Sequence, residues 1–62
     1  MNRLKEIREE KGLTQEELAK KADVSRTIIS GLETGRTEVT TTGTLKKLAL
    51  ALDSDVATLF FN

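Results

Sequence analysis

The 62-residue sequence contains no cysteine, histidine, proline, tryptophan or tyrosine, and its aromatic residues are two phenylalanines. Without cysteine the chain can form neither a disulfide nor a thiolate metal site. Without histidine it lacks the commonest general base and the commonest metal ligand. Serine and threonine hydroxyls are plentiful, but a hydroxyl nucleophile needs an adjacent base, and no motif supports a lysine in that role. We therefore predict no enzymatic activity, no metal site and no cofactor.

Long apolar runs are also missing. No stretch approaches the roughly 18 apolar residues typical of a membrane span, and the amino terminus has no long apolar run behind its charges. We therefore expect a cytoplasmic protein that does not bind membranes. We also expect no small-molecule ligand, since we expect no second domain that could sense one. Ten basic and ten acidic residues give no net charge, which argues against general attraction to a polyanion but leaves room for a locally basic surface. The length allows one domain over residues 1–62, small enough that its stability depends on every apolar residue.

The segment LTQEELAKKADVSRTIISGLETG, residues 13–35, predicts two short helices joined by a tight turn. Thr14 and Glu17 have the spacing of a capping box, which marks the start of the first helix. One face of that helix is apolar, formed by Leu18, Ala19 and Ala22. Ser25 is the cap of the second helix, which runs to about Thr34, and Gly35 follows its end. The sequence thus predicts a helix-turn-helix over about residues 14–34.

The second helix of this pair has two different sides. At about 100° per residue, Ile29 and Leu32 share the inner side, and Ile28 lies on the flank. The outer side carries small polar groups and one arginine: Arg26, Thr27, Ser30 and Thr34. Such a surface suits a DNA major groove, about 12 Å wide, in which each base pair shows a distinct pattern of donors and acceptors.

Three further helices are predicted. The first runs from about Arg3 to Lys11, and adjacent carboxylates such as Glu9 and Glu10 point apart on it and cannot bind one metal ion. A fourth helix, capped by Thr41, runs over residues 42–52 and has one apolar stripe: Leu45, Leu48, Ala49 and Leu52. Leu50 points roughly the opposite way. A last short helix is capped by Asp55 and buries Val56 and Leu59, with Phe60 inside and Phe61 outside.

Three segments in this order, LKEIREEKGLTQEELA, VSRTIISGLETG and TLKKLALAL, resemble the lambda-repressor-like helix-turn-helix family, also called the XRE or Cro/C1 type. The resemblance spans nearly the whole chain. It implies a compact all-α domain of five helices in which helices 2 and 3 form the helix-turn-helix. It also implies a DNA-binding transcriptional regulator that is usually a dimer.

The resemblance assigns roles to individual positions. Base-reading positions are Arg26, Thr27, Ile28, Ser30 and Gly31, although Gly31 has no side chain where the family often has a longer one. Phosphate-contacting positions are Gln15, Thr34, Arg36 and Thr37; Gln15 also steadies the first base-reading side chain, and Thr34 replaces the usual asparagine. The loop RTEVTTTG, which follows Gly35, lacks the family's proline, and an ordinary solvated loop is the alternative to phosphate contact there. Arg8 and Glu33 match a buried structural ion pair, an interpretation we prefer to a phosphate role for Arg8.

We further expect self-association through an apolar patch near the C-terminus: Leu50, Leu59, Phe60 and Phe61. A two-fold homodimer would place the two reading helices about 34–36 Å apart and require an inverted-repeat operator of double-stranded DNA. The resulting hypothesis is a Cro-like repressor that occludes a promoter, since we expect no second domain to sense a ligand. The alternative is the antitoxin of a toxin–antitoxin pair or another protein-interaction module with the same fold, which the neutral charge and terminal aromatics would suit.

Overall fold

The computed structural model describes residues 2–36 and 41–61. These residues form five α-helices and no strand, which confirms the predicted all-α class. In chain order the helices are α1 (Leu4–Glu10), α2 (Gln15–Ala22), α3 (Arg26–Thr34), α4 (Thr42–Ala51) and α5 (Val56–Phe60). The predicted bounds agree for α3 and differ by one residue at either end of α1 and at the end of α4. None of these helices is both long and apolar enough to cross a membrane.

Side-chain caps determine where α2 to α5 begin. Thr14 Oγ1 accepts from Glu17 N at 3.0 Å and Glu17 Oε1 accepts from Thr14 N at 2.9 Å, so the predicted capping box is present. The remaining caps accept from the backbone N–H three residues further on: Ser25 at 3.1 Å, Thr41 at 3.1 Å and Asp55 at 2.7 Å. Each bond satisfies an amide that has no partner inside its own helix.

Two of these caps make the stability of the protein sensitive to acid. The backbone N–H and then the hydroxyl of Thr14 lower the pKa of Glu17 below its ordinary 4.5, and the same groups of Thr58 lower the pKa of Asp55 below its ordinary 3.8. As the pH falls, the unfolded chain therefore takes up these protons first. The stabilisation is present above the ordinary values and is lost as the pH falls through the lower values of the folded state.

We expect the decrease in Tm between about pH 6 and about pH 2 to be smaller for a Glu17→Gln/Asp55→Asn variant than for the wild type. Amide oxygens can still cap the helices but do not titrate in this range. Thermal unfolding followed by circular dichroism across this range measures the difference. Equal losses of Tm in both proteins would show that these caps do not contribute to acid sensitivity.

The core lies where the five helices meet and is mostly leucine and isoleucine. Its buried apolar residues are Leu4, Ile7, Leu18, Ala22, Ile29, Leu32, Leu48, Ala49, Ala51, Leu52 and Leu59. The predicted stripe on α4 faces this core, with Leu45 half-buried. Phe60 is half-buried against the core, whereas Leu50 and Phe61 are 80% and 71% exposed. Of the two expectations for Leu59, burial by the last helix is confirmed and membership of a dimer surface is wrong, because its side chain is fully buried inside its own chain.

A tight turn between α2 and α3 sets the angle at which α3 is presented. Asp23 ends α2 in the left-handed conformation with φ 56°, and Val24 N donates to Ala19 O at 3.0 Å. Aspartate is one of the few residues with a side chain that tolerates this conformation. Gly35 ends α3 in the same region, at φ 78°. The chain changes direction at Asp23 and at Gly35, and α3 between them packs one side on the core and leaves the other side open.

Candidate nucleic-acid interface

The open side of α3 is polar. Arg26, Thr27 and Thr34 are exposed and Ser30 is half-buried, while Ile29 and Leu32 on the opposite side are buried. Ile28 lies between the two sides, half-buried and packed against the core. The division of the helix into an inner and an outer side, predicted from its periodicity, is confirmed.

A concavity of about 400 Å³ runs along this open side and is bordered by residues from two helices and the segment after α3. Its lining residues are Gln15, Arg26, Thr27, Ser30, Gly31 and Arg36. Four of them are predicted to read bases and two to contact phosphate, so the fold brings members of both groups to one surface. Gly31 is itself buried and offers no side chain there.

A chain of hydrogen bonds connects this concavity with the interior. Arg8 Nε donates to Glu33 Oε2 at 2.6 Å and Arg8 Nη2 donates to Glu33 Oε1 at 3.2 Å. Gln15 Nε2 donates to the same Oε1 at 3.0 Å. The amide oxygen of Gln15 accepts from Arg26 Nε at 3.4 Å, a long bond. Three side chains, Arg8, Glu33 and Gln15, thus connect the core to the exposed guanidinium of Arg26.

Arg8 and Glu33 form a buried ion pair at the inner end of this chain. Their side chains are 9% and 3% exposed. The hydrogen bond to Glu33 raises the pKa of Arg8, against the opposing effect of burial. Arg8 Nη1 also donates to the backbone carbonyl of Leu13 at 2.7 Å, which connects α1 to the start of the helix-turn-helix. Arg8 is therefore held inside the domain and is not available to a phosphate.

One of the predicted phosphate-contacting residues, Thr34, is not among the residues that line the concavity. The hydroxyl of Thr34 donates to the carbonyl of Ser30 at 2.9 Å, with Gly31 O at 3.3 Å. A hydroxyl has one proton, so this bond would have to break before Thr34 could donate to a phosphate. Thr37 lies outside the described residues.

Asn2 positions α3 in a way that sequence patterns did not reveal. Its amide nitrogen donates to Leu32 O at 3.0 Å, and its amide oxygen accepts from Leu4 N at 3.0 Å. The start of α1 is thereby tied to the last turn of α3. A single polar residue before the first helix carries no periodicity or motif that could have predicted this contact, which joins residues 30 apart.

A capped helix with a small, polar outer side, packed on the preceding helix through a tight turn, defines a helix-turn-helix domain of the lambda-repressor-like kind. A family model described as helix-turn-helix matches residues 4–59. The chain belongs to this family of XRE-type helix-turn-helix DNA-binding regulators.

A solved structure agrees with this assignment. A chain in the structure described as the SinR protein/SinI protein complex is similar to this chain, with a TM-score of 0.90 and 35% sequence identity. The match covers 97% of this chain and 58% of the other, so this chain spans little more than half of that protein's length. A comparison with curated proteins gives no match.

Proposed function

We propose that the protein is a sequence-specific transcriptional regulator, a Cro-like repressor that binds an inverted-repeat operator as a homodimer. The observation that carries this proposal is the concavity on α3, where four base-reading and two phosphate-contacting candidates share one surface. The first turn of α3 would enter the major groove. Arg26 would donate to a guanine, and Thr27 would contact a base edge or a thymine methyl group.

Other residues would complete the contact. Ile28 and Ser30 would reach groups further along the groove, with the backbone of Gly31 beside them. Gln15 and Arg36 border the same concavity and would hold the protein in register on phosphates, with Thr34 and Thr37 as further phosphate contacts. Contacts to the backbone set position, and contacts to base edges set sequence.

The zero net charge of the chain does not contradict this proposal, because the charged side chains between Ser25 and Arg36 are unevenly exposed. Arg26 and Arg36 are exposed beside the concavity, whereas the carboxylate of Glu33 is buried against Arg8. The negative charge of Glu33 is thus neutralised by Arg8 inside the domain, and the surface offered to a phosphate backbone is locally basic. Local charge governs contact at distances shorter than the Debye length of about 8–10 Å.

Selection of bound duplexes from a randomised pool at low salt tests the proposal. We expect enrichment of an inverted repeat whose half-sites lie about one helical turn apart. Titration of the enriched duplex across salt concentrations should give an affinity that falls as salt rises, since counterions are released on binding. Weak, salt-sensitive binding without any enriched sequence would refute a sequence-specific regulator.

Self-association is proposed through the exposed apolar residues near the C-terminus. Leu50 and Phe61 are the large apolar side chains most exposed in the described part of the chain, and Phe60 is half-buried. We expect a Leu50→Ser/Phe61→Ser variant to fold, because neither side chain is in the core. Its Tm should be independent of concentration, whereas the Tm of a dimeric wild type should rise with concentration. In sedimentation at micromolar concentration the variant should be monomeric where the wild type is a dimer. A wild type that is monomeric both alone and on DNA would refute the homodimer.

The same two exposed side chains and the zero net charge favour a second candidate, an antitoxin that binds a toxin or another protein and autoregulates its operon. The similar SinR chain is described in a complex with a protein, SinI. Co-purification of this chain with the product of a neighbouring gene, together with failure to enrich any duplex, would favour this candidate over the repressor.

A further inference from the structure

Glu33 accepts hydrogen bonds from two sides, and only one of them belongs to the ion pair. Its Oε2 receives Arg8 Nε at 2.6 Å, while its Oε1 is shared between Arg8 Nη2 at 3.2 Å and Gln15 Nε2 at 3.0 Å. A purely structural ion pair would require only Arg8. The second partner, Gln15, borders the concavity and contacts Arg26.

The buried carboxylate determines which way the amide of Gln15 points. With Nε2 on Glu33, the amide oxygen faces Arg26 Nε and accepts from it. The opposite orientation would set an oxygen against the carboxylate and an NH₂ group against the guanidinium, which is unfavourable on both sides. Glu33 therefore makes Gln15 an acceptor toward Arg26.

An arginine held at Nε keeps both of its terminal nitrogens free for a ligand. These terminal N–H groups can donate in parallel, in the arrangement that suits the O6 and N7 acceptors of a guanine. The bond from Arg26 to Gln15 is long, at 3.4 Å, and Arg26 is exposed, so this contact orients the guanidinium without immobilising it.

The resemblance to the family already implied that Gln15 steadies the first base-reading side chain. We propose that the buried Glu33 carboxylate, by fixing the orientation of the Gln15 amide, is a further positioning residue and sets the preference for guanine at the base pair that Arg26 contacts. This inference rests on the proposed DNA-binding function and deepens it. Glu33 would then serve two purposes, holding α3 to α1 through Arg8 and orienting the reading arginine through Gln15.

Glu33→Gln and Arg8→Lys form a matched pair of variants for the test. Both weaken the ion pair, but Arg8→Lys keeps a carboxylate opposite Gln15. In Glu33→Gln the new side-chain oxygen would take the position of Oε2, which accepts from Arg8 Nε at 2.6 Å. The new amide nitrogen would take the position of Oε1 and face Gln15 Nε2. The Gln15 amide would then turn over and present NH₂ groups to Arg26.

The measured quantity is the ratio of affinities for the enriched duplex with guanine or another base at the Arg26 position, at a temperature where each variant is folded. A bidentate arginine–guanine contact corresponds to a ratio of about 5 to 150. We expect wild type and Arg8→Lys to keep this ratio and Glu33→Gln to lose most of it. Gln15→Met, which lacks both hydrogen bonds but adds no buried charge, should also lose it, even if Glu33→Gln folds poorly.

Equal ratios in Glu33→Gln and Arg8→Lys, or a wild-type ratio in Gln15→Met, would overturn the inference. A DNA-free measurement separates this failure from failure of the proposed function. In NMR spectra of the free proteins, the side-chain amide of Gln15 should shift in Glu33→Gln but not in Arg8→Lys, and Arg26 Nε–H should exchange faster in Gln15→Met. Unchanged spectra would overturn the positioning role, whereas expected spectra without any sequence preference would refute the DNA-binding proposal.

Discussion

Glu33→Ala should remove a large part of the free energy of unfolding of the protein. The substitution removes one partner of an ion pair whose side chains are 9% and 3% exposed, and leaves the guanidinium of Arg8 buried without its counter-charge. Breaking such a pair costs about 3–5 kcal/mol. A domain of this size holds roughly 3–9 kcal/mol in total, at about 0.05–0.15 kcal/mol per residue. We therefore expect Tm to fall by at least about 12 °C.

The chain offers a matched control for this measurement. Arg3 Nε and Glu6 Oε1 are also 2.6 Å apart, but their side chains are 42% and 55% exposed. Glu6→Ala should therefore leave Tm close to the wild-type value, because water and salt already screen this pair. Thermal unfolding of both variants, in the same buffer, separates the effect of burial from the effect of distance. An unchanged Tm in Glu33→Ala would show that the pair is exposed or absent in solution.

Local sequence patterns predicted most of the fold because the signals involved are short. A cap and the amide it serves are three residues apart, as with Thr14 and Glu17, and an apolar stripe repeats every three or four residues. These signals were sufficient for the starts of α2 to α5 and for the stripe on α4 that faces the core. They also identified Leu50 as the leucine that points away from it.

Contacts between distant residues could not be predicted in the same way. Gln15 and Glu33 are 18 residues apart, and nothing in either helix's periodicity shows that the amide reaches the carboxylate. Resemblance to a family suggested the ion pair of Glu33 but not its second partner. The hydroxyl of Thr34 was likewise expected on a phosphate, although a threonine in a helix can donate to a carbonyl of the preceding turn, as it does here.

The error at Leu59 has a different cause. The predicted dimer patch groups apolar residues by their closeness to the C-terminus, although the helix predicted after the cap at Asp55 already places Leu59 on its buried side. Leu59 N donates to Asp55 O and Leu59 O accepts from Arg3 N, so this residue lies where α5 meets the start of α1. Helical position, and not proximity in sequence, therefore decides that Leu59 is buried while Phe61 is exposed.

The Glu33 carboxylate contributes both to the stability of this small domain and, in the proposed function, to its recognition of DNA. The helix that would read DNA is held to α1 by Glu33, and the side chain that orients its leading arginine is bound to the same carboxylate. A substitution at Glu33 is thus expected to change both properties, whereas a substitution at the outer end of the chain of hydrogen bonds should change recognition alone. Arg26 is that outer end.

Arg26→Ala should leave Tm nearly unchanged and remove the preference for one base. Arg26 is exposed, and its single side-chain bond within the described residues, to Gln15, is 3.4 Å long. In the proposed complex its terminal N–H groups donate to a guanine. We expect a loss of about 1–3 kcal/mol on the selected operator, with sequence preference relaxed at one base pair and kept at the others. Fluorescence anisotropy with operators carrying each base at that position measures the effect.

Arg36→Ala is the matched control, because Arg36 borders the same concavity and carries the same charge but was assigned to phosphate. Its loss should weaken binding to all sequences to a similar degree and reduce the slope of log affinity against log salt by about 1. The loss of affinity caused by Arg26→Ala should instead depend on which base the operator carries at the position that Arg26 contacts. If Arg26→Ala weakened binding equally on every sequence, Arg26 would be a further phosphate contact, and Thr27 and the residues that follow it on α3 would have to read the bases.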